Sequence, residues 1–283
     1  MLASALVHFY RLVHGRLHLP GAGRVLRAAA RRMPSLRAYP YPLPGLGTTV
    51  LDFREVSAYG VVNFTLGEND QLAFLFRMLE RCLTPGQVLW DVGANAGLVC
   101  IHFAQQRFGL SSIQAFEPNP APLKPLQSLF DSHPIVRVHP VALGNANEKG
   151  ALHVELNDSL SGSLKRSLDG WTTVPIEVRR GDDLQTELNL PLPNVIKIDV
   201  EGFEPEVLAG MKNIIARQQP IIFFEHLFLS DDEVRRAVLP GYGMWLMLDD
   251  GTLTTDFTKR PLGHDAVMFP ESRRSLFEDL PRA

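Results

Sequence analysis

The sequence predicts an α/β fold in which a mostly parallel central sheet carries helices on both faces. Three observations predict it. Apolar runs of strand length alternate with segments whose apolar residues recur at helical spacing. Those runs are apolar throughout, as strands buried on both faces are. The first of them leads into Asp91-Val92-Gly93-Ala94-Asn95-Ala96-Gly97, where an apolar strand meets an acid and then two glycines four residues apart. This reads as strand, tight turn and helix start, and it predicts a nucleotide-like ligand at the turn, with Gly93 and Gly97 letting the backbone come close.

The bulk properties are compatible with that fold. A chain of 283 residues with 45% hydrophobic and 21% charged residues supports a sizeable core and excludes wholesale disorder. The two cysteines, Cys82 and Cys100, form no CxxC pair, so the expectation is two buried free thiols, a reducing compartment and a cytoplasmic protein.

Charge is unevenly placed. Arg11, Arg16, Arg24, Arg27, Arg31, Arg32 and Arg37 precede the first acid, Asp52, and set against a net charge of −3 these seven leave −10 on the remainder. A basic arm on an acidic body predicts packing against that body, peripheral contact with an anionic membrane at its inner surface, or recognition of an anionic substrate. Leu2 to Tyr10 is too short to span a bilayer and is not flanked as a secretory signal would be. Leu6, Phe9, Val13 and Leu17 recur at helical spacing, as in an interfacial helix.

Proline and glycine crowd Met33 to Gly47 and mark a linker or extended segment, dividing a helical arm and linker at 1–47 from a body at 48–283. Thr49–Phe53 and Val61–Leu66 read as a small β-element, and Asp70–Leu83 as a helix stopped by Pro85-Gly86. Strands are then expected at Val88–Val92, Ser112–Phe116, Ile135–Val138, Val195–Val200, Ile221–Phe224, Met244–Leu248 and Ala266–Phe269. Helices are expected at Leu98–Gln106, Ala121–Phe130 and Glu204–Ile215. Two strand-like runs around the polar Asn157–Gly170 predict an inserted hairpin at about 151–180, with a loop near Ser159–Ser167 placed to close over a site.

Three strand ends carry the chemistry. Glu117 follows the second strand about twenty residues after the glycine turn, where a carboxylate accepts both hydroxyls of an adenosine ribose. The run Asp91-x-Gly93-x-x-x-Gly97 departs from the dinucleotide pattern G-x-G-x-x-G, and its acid would repel a pyrophosphate but suit an amino group, which favours S-adenosylmethionine. Lys197-Ile198-Asp199-Val200-Glu201-Gly202-Phe203-Glu204 sets charges at the C-terminal end of a central strand, with Lys197 and Asp199 on one face, as a structural ion pair or as site residues. Glu225 and His226 end the next strand. Asp199, Glu201, Glu225 and His226 are therefore the candidates for general base, acceptor orientation or a divalent metal site. Glu68 and Asp70 read as helix-cap acids within reach of the same crevice.

These motifs, with Phe116-Glu117-Pro118-Asn119, Val141-Ala142-Leu143-Gly144 and Asp182-Asp183-Leu184, resemble the FkbM family of S-adenosylmethionine-dependent methyltransferases over about Glu68–His226. The resemblance implies a class I, Rossmann-like methyltransferase fold with a reversed last strand, and methyl transfer to a hydroxyl, often on a sugar, glycan or secondary metabolite. It implies that Asp91, Gly93, Asn95 and Gly97 lie at the methionine end of the cofactor, Glu117 and Pro118 at the ribose, and Ala142 and Leu143 near adenine. An RNA substrate reached through the basic arm, or a non-catalytic scaffold at a membrane, are the competing readings. The acidic body without a basic aromatic stripe argues against nucleic acid, and the set Asp91, Glu117, Asp199 and Glu201 argues against a scaffold.

Overall fold

A computed structural model describes residues 2–15, 21–67, 70–155, 158–166, 169–260 and 265–283. Helices α1 (Leu2–Gly15) and α2 (Ala22–Ala30) precede a hairpin of β1 (Tyr39–Leu43) and β2 (Gly47–Leu51), then α3 (Val56–Leu66) and α4 (Asp70–Cys82). β3 (Val88–Val92), α5 (Leu98–Phe103), β4 (Ser112–Phe116), α6 (Pro120–Phe130) and β5 (Val136–His139) alternate. β6 (Ala142–Gly144), β7 (Glu148–Glu155), β8 (Asp158–Ser163) and β9 (Trp171–Arg180) form a separate four-stranded sheet. α7 (Gly181–Leu188) leads to β10 (Val195–Ile198), α8 (Glu204–Gly210), α9 (Lys212–Gln218) and β11 (Ile221–Glu225). α10 (Asp231–Ala237), β12 (Tyr242–Met247), β13 (Leu253–Thr254) and β14 (Asp265–Pro270) complete the chain.

The main sheet has eight strands in the order β13-β12-β14-β11-β10-β3-β4-β5. β5, β4, β3, β10 and β11 are parallel, and β14 runs antiparallel to both β11 and β12. This is the reversed last strand of a class I methyltransferase fold. The pleat sorts side chains to two cores. Leu89, Val195, Ile221, Phe223, Val267 and Phe269 face one core, which is shared with α4, α5, α6 and the arm. Trp90, Val92, Ile196, Ile198, Ile222 and Phe224 face the other, under α7 to α10.

The inner side of the arm is part of the first core. Val7 and Tyr10 of α1 and Leu26 and Ala30 of α2 are buried with Tyr41, Phe53 and Tyr59. The Tyr10 ring meets Tyr59 edge-on at 5.4 Å, and the guanidinium groups of Arg11 and Arg27 lie over Tyr41 and Tyr59 at 5.8 and 5.6 Å. The proline-rich stretch is the hairpin partner of β2, since Pro40 and Pro42 sit in a strand of the two-stranded β1–β2 sheet, where missing donors are tolerated. Cys82 and Cys100 are buried free thiols.

Three elements depart from the sequence expectation. Val61–Leu66 is the second half of α3, not a strand: Ala58, Tyr59, Val61 and Val62 are buried, so a helix enclosed on most sides shows no helical period. Gly67, at φ 75°, ends it. The helix expected over Glu204–Ile215 breaks at Met211, directly after Gly210, where a Cβ would stand 1.8 Å from the Gly144 carbonyl oxygen. The polar stretch inside the inserted hairpin contains β8, whose Ser- and Gly-rich sequence carries no alternation. Residues 156, 157 and 168, Ser167 at the end of the expected closing loop, and Glu68 lie outside the described residues.

The C-terminal segment returns to the sheet. Phe277 is fully buried against Phe269 at 4.7 Å, and the Leu253 N–H donates to the Pro281 carbonyl while the Leu253 carbonyl accepts from the Ala283 N–H.

Candidate active site

Strand parity builds the site. Asp91 shares a face of β3 with Leu89, Lys197 shares a face of β10 with Val195, and Glu225 shares a face of β11 with Phe223. Asp265 opens β14 opposite Glu225, on the face of Val267. Four neighbouring strands thus end in ionisable groups on one side of the sheet, at a single cleft of about 480 Å³. Asp199, two residues beyond Lys197, joins them, and the Lys197 Nζ donates to its Oδ2 at 2.6 Å. One oxygen each from Asp199, Glu201 and Glu225 lies within 4.8 Å of the others.

The glycine turn fills one wall of this cleft. The N–H groups of Gly93 and Ala94 both donate to the Phe116 carbonyl at 3.0 Å, tying the turn to the end of β4. A Cβ on Gly93, at φ 81°, would sit 1.8 Å from the Asp199 carbonyl oxygen, and a Cβ on Gly97, at φ 77°, would sit 2.3 Å from Leu126. Both glycines are therefore required by contacts within the protein, not only by approach of a ligand, and Gly97 itself lies off the cleft wall. Buried Asp91 accepts the Cys100 thiol at 3.4 Å through Oδ2, while its Oδ1 has no hydrogen-bond partner among the described residues. Glu117 accepts the Asn95 N–H on one oxygen and the Asn119 N–H on the other, both at 2.7 Å. Asn95, Glu117, Pro118, Ala142 and Leu143 line the same cleft. An orphaned carboxylate oxygen, a backbone-anchored glutamate and apolar β6 residues on one cleft wall are groups whose chemistry fits S-adenosylmethionine.

The turn after β10 carries Glu201 in the left-handed region at φ 56° and Gly202 at φ 97°. Glu204, fully buried, holds it: its Oε1 accepts from the Val200 and Gly202 N–H groups at 3.0 and 3.3 Å. The loop after β8 clasps the same turn, with Ser163 Oγ donating to the Glu201 carbonyl at 3.0 Å and Arg166 Nη2 donating to Glu201 Oε2 at 3.2 Å. The Arg166 guanidinium in turn lies over the Phe228 ring at 3.2 Å.

Residues 91–257 match the Methyltransferase FkbM domain. The chain belongs to the FkbM methyltransferase family. It is 31% identical over 204 residues to the hexuronic acid methyltransferase AglP of Haloferax volcanii, covering 71% of this chain and 76% of AglP. It is 26% identical to the 2-O-methyltransferase NoeI of Sinorhizobium fredii over 64% of this chain and 78% of NoeI. A solved FkbM methyltransferase from Methylobacillus flagellatus superposes with a TM-score of 0.42 at 18% identity, over 75% of this chain and 53% of that one. As an FkbM methyltransferase the protein is an enzyme that uses S-adenosylmethionine.

Not every residue singled out in the sequence lies at the FkbM cleft. His226 falls on the opposite side of the pleat from Glu225 and is fully buried. Its Nδ1 accepts from Arg260 Nε at 3.1 Å, its carbonyl also accepts from Arg260, and it is not part of the cleft wall. Its place is structural, as the link between the end of β11 and Arg260. The Asp182 carboxylate accepts the Asn213 and Ile214 N–H groups at 3.0 and 2.9 Å, which caps α9. Asp265 and Glu204 were not anticipated as site residues. An acid at the head of the antiparallel strand and one at the start of a helix were the only signals.

Burial and mutual repulsion dominate the electrostatics. Burial pushes the Asp91 carboxyl up to about 6 and the Glu117 and Glu204 carboxyls to about 7. Burial and the charge of Asp199 raise Glu201 to about 7, and burial with the charges of Asp199, Glu201 and Asp265 raises Glu225 further. Burial alone would lower the Lys197 ammonium, but Asp199, Asp91 and Asp265 outweigh it and raise its pKa. Carboxyls raised in the folded state contribute stability that is complete below the ordinary carboxylate range and is lost as pH rises through about 7. The sulfonium and ammonium of S-adenosylmethionine favour the ionised forms. The stabilisation that saturating cofactor adds to the apo enzyme is therefore expected to grow between about pH 5 and pH 8. Thermal denaturation with and without cofactor checks this, and a cofactor shift that is flat across that range would contradict it.

Proposed function

We propose that this FkbM methyltransferase O-methylates a hydroxyl on a sugar or related small molecule, with Glu201 as general base. The observation that carries the reading is the Glu201 carboxyl, raised to about 7 and set within 4.8 Å of the Asp199 and Glu225 oxygens on the wall of the cleft that Asp91 and Glu117 also line. Such a group takes a proton near neutral pH and is matched to the work of a base. An acceptor hydroxyl has a high pKa, so its proton must be taken as the oxygen attacks. S-adenosylmethionine supplies the electrophile, a methyl group on a sulfonium. The chain's own residues then have three tasks.

Asp91 holds the cofactor's amino group with its orphaned oxygen, Glu117 holds the ribose, and the β6 wall at Ala142 and Leu143 takes adenine. Asp199, kept in place by Lys197, lies beside Glu201 and orients the acceptor hydroxyl, while Glu201 receives its proton. Glu225 closes the far side. The oxygens of Asp199, Glu201 and Glu225 are also a donor set for a hard divalent cation, and these three would hold one, which would make the hydroxyl more acidic. AglP and NoeI, named for a hexuronic acid and for a 2-O position, support a sugar as the acceptor class.

Two measurements test the reading. Isothermal calorimetry is expected to show S-adenosylmethionine binding that weakens by roughly tenfold or more in Asp91→Ala and in Glu117→Ala, the size expected from losing a hydrogen bond to a charged group. Unchanged affinity in both would overturn the cofactor placement. Incubation of glycan and metabolite extracts with isotopically labelled methyl donor, read by mass spectrometry, is expected to label a hydroxyl-bearing product. Label found only on nitrogen or on nucleic acid would overturn the acceptor class.

A further inference from the structure

We infer that the outward faces of α1 and α2 together form a docking surface for an anionic lipid bilayer. The observation begins with α1, which is apolar on two opposed stripes. Ala3, Val7 and Tyr10 form the inner stripe and are buried in the first core. Leu2, Ala5, Phe9 and Leu12 follow one another at spacings of three, four and three residues, which places them along a single outer stripe, and all four are exposed. Leu2, Phe9 and Leu12 retain 65, 52 and 42% of their surface. A surface helix ordinarily turns a polar face to water.

The second half of the surface is α2, which packs beside α1. Arg24, Val25, Ala28 and Arg31 recur along its outer face, Arg32 follows directly, and all are exposed. With Leu2, Phe9 and Leu12, Val25 makes up half of the exposed large hydrophobic residues among those described. Other arginines of the arm are engaged within the protein: Arg11 and Arg27 lie over tyrosine rings, and the exposed Arg37 donates through Nε to the Ala30 carbonyl at 3.0 Å. The sequence thus carries these exposed cations with no carboxylate before Asp52, on or just after a helix that packs against the one bearing the apolar stripe.

An apolar stripe bordered by arginines is complementary to one surface chemistry, an acyl layer under anionic headgroups. No helix among the described residues is long and apolar enough to cross a membrane, so α1 would lie in the plane of the interface. A second copy of the chain fits less well, because the same arginines would face each other across a symmetric contact. The inference concerns where the enzyme works and does not depend on which hydroxyl it methylates or on the identity of its base.

Full-length protein mixed with phosphatidylcholine vesicles, and with vesicles containing phosphatidylglycerol as well, tests it by co-sedimentation. Binding is expected only with phosphatidylglycerol and is expected to weaken as salt is raised. Arg24→Gln, Arg31→Gln and Arg32→Gln are each expected to lower the affinity by roughly fivefold, the effect of about 1 kcal/mol for a basic residue at such a surface. Phe9→Glu combined with Leu12→Glu is expected to abolish binding while S-adenosylmethionine affinity, measured by calorimetry, stays as in the parent. Equal binding to both vesicle types, absence of binding to either, or parent-like binding by the Phe9→Glu, Leu12→Glu protein would overturn the inference. A dimer in light scattering that this same variant converts to a monomer would assign the stripe to a second copy instead.

Discussion

Glu201→Gln is expected to lower kcat by about a hundred- to ten-thousand-fold, the range ordinarily supplied by a general base. Glutamine keeps the size of the side chain and can still meet Arg166, so the turn after β10 should persist and S-adenosylmethionine affinity should stay within a few-fold of the parent. The pH profile carries the same information. Because the carboxyl is pushed up to about 7 and must be ionised to accept a proton, kcat/KM of the parent enzyme is expected to rise with pH through about 7. If Glu201→Gln turned over normally while Asp199→Asn did not, the proton would go to Asp199 and Glu201 would be left as its neighbour. If both variants were active, the base would not be in this cluster.

Lys197→Met is expected to destabilise the protein by about 1–3 kcal/mol, the cost of leaving polar groups at a buried position without their partner, since Lys197 is buried while Asp199 is partly exposed. The ammonium is buried, bonded to Asp199 at 2.6 Å, and is the cation whose charge Asp91, Asp199 and Asp265 all feel. Methionine fills the space but leaves those carboxylates facing one another in a site of low polarisability. The loss should therefore depend on pH. It should shrink as the solution is acidified toward about 6, because without the ammonium Asp91 and Asp265, raised to about 6 even beside it, take up protons at a higher pH than in the parent. Urea denaturation at several pH values measures it, and a loss that does not vary with pH would show that Lys197 acts by filling space.

The fold was legible where burial is symmetric. Strands β3, β4, β10 and β11 are covered on both faces, so their sequences are mostly apolar with acids at or next to their C-terminal ends, and each was placed within a residue or two. Legibility failed where partners distant in sequence decide the conformation. α3 is enclosed by the arm and by α5, which erases the period that would mark it as helical, and the β-branched Val61, Val62 and Thr65 then imitate a strand. The break at Met211 follows Gly210, a weak local signal, and the contact that requires a glycine there is with Gly144, nearly seventy residues away.

In the site, the motif residues at strand ends were legible because parity alone predicts which of them share a face. Parity also explains why His226 was misplaced: one residue beyond Glu225, it turns to the other side of the sheet. Glu204 and Asp182 belong to the family motifs yet act on backbone N–H groups rather than on a ligand, a distinction that requires knowing which amides stand nearby. Asp265 completes the charge cluster from the reversed strand, and only the topology brings it next to Glu225.

The return of the C-terminal segment to the sheet bears on how the protein avoids polymerising. Any sheet has two rims whose unpaired amides and carbonyls can recruit a strand from a neighbouring molecule. At one rim β13 is only two residues long, and its Leu253 is paired on its outer side with 281–283, while the Arg282 guanidinium covers Trp245 at 3.2 Å. At the opposite rim β5 is four residues long and carries an exposed Arg137. Short strands, a charge and a tail used as a cover leave little ladder at either rim to template edge-to-edge growth, so a sheet of eight strands guards its edges without closing into a barrel.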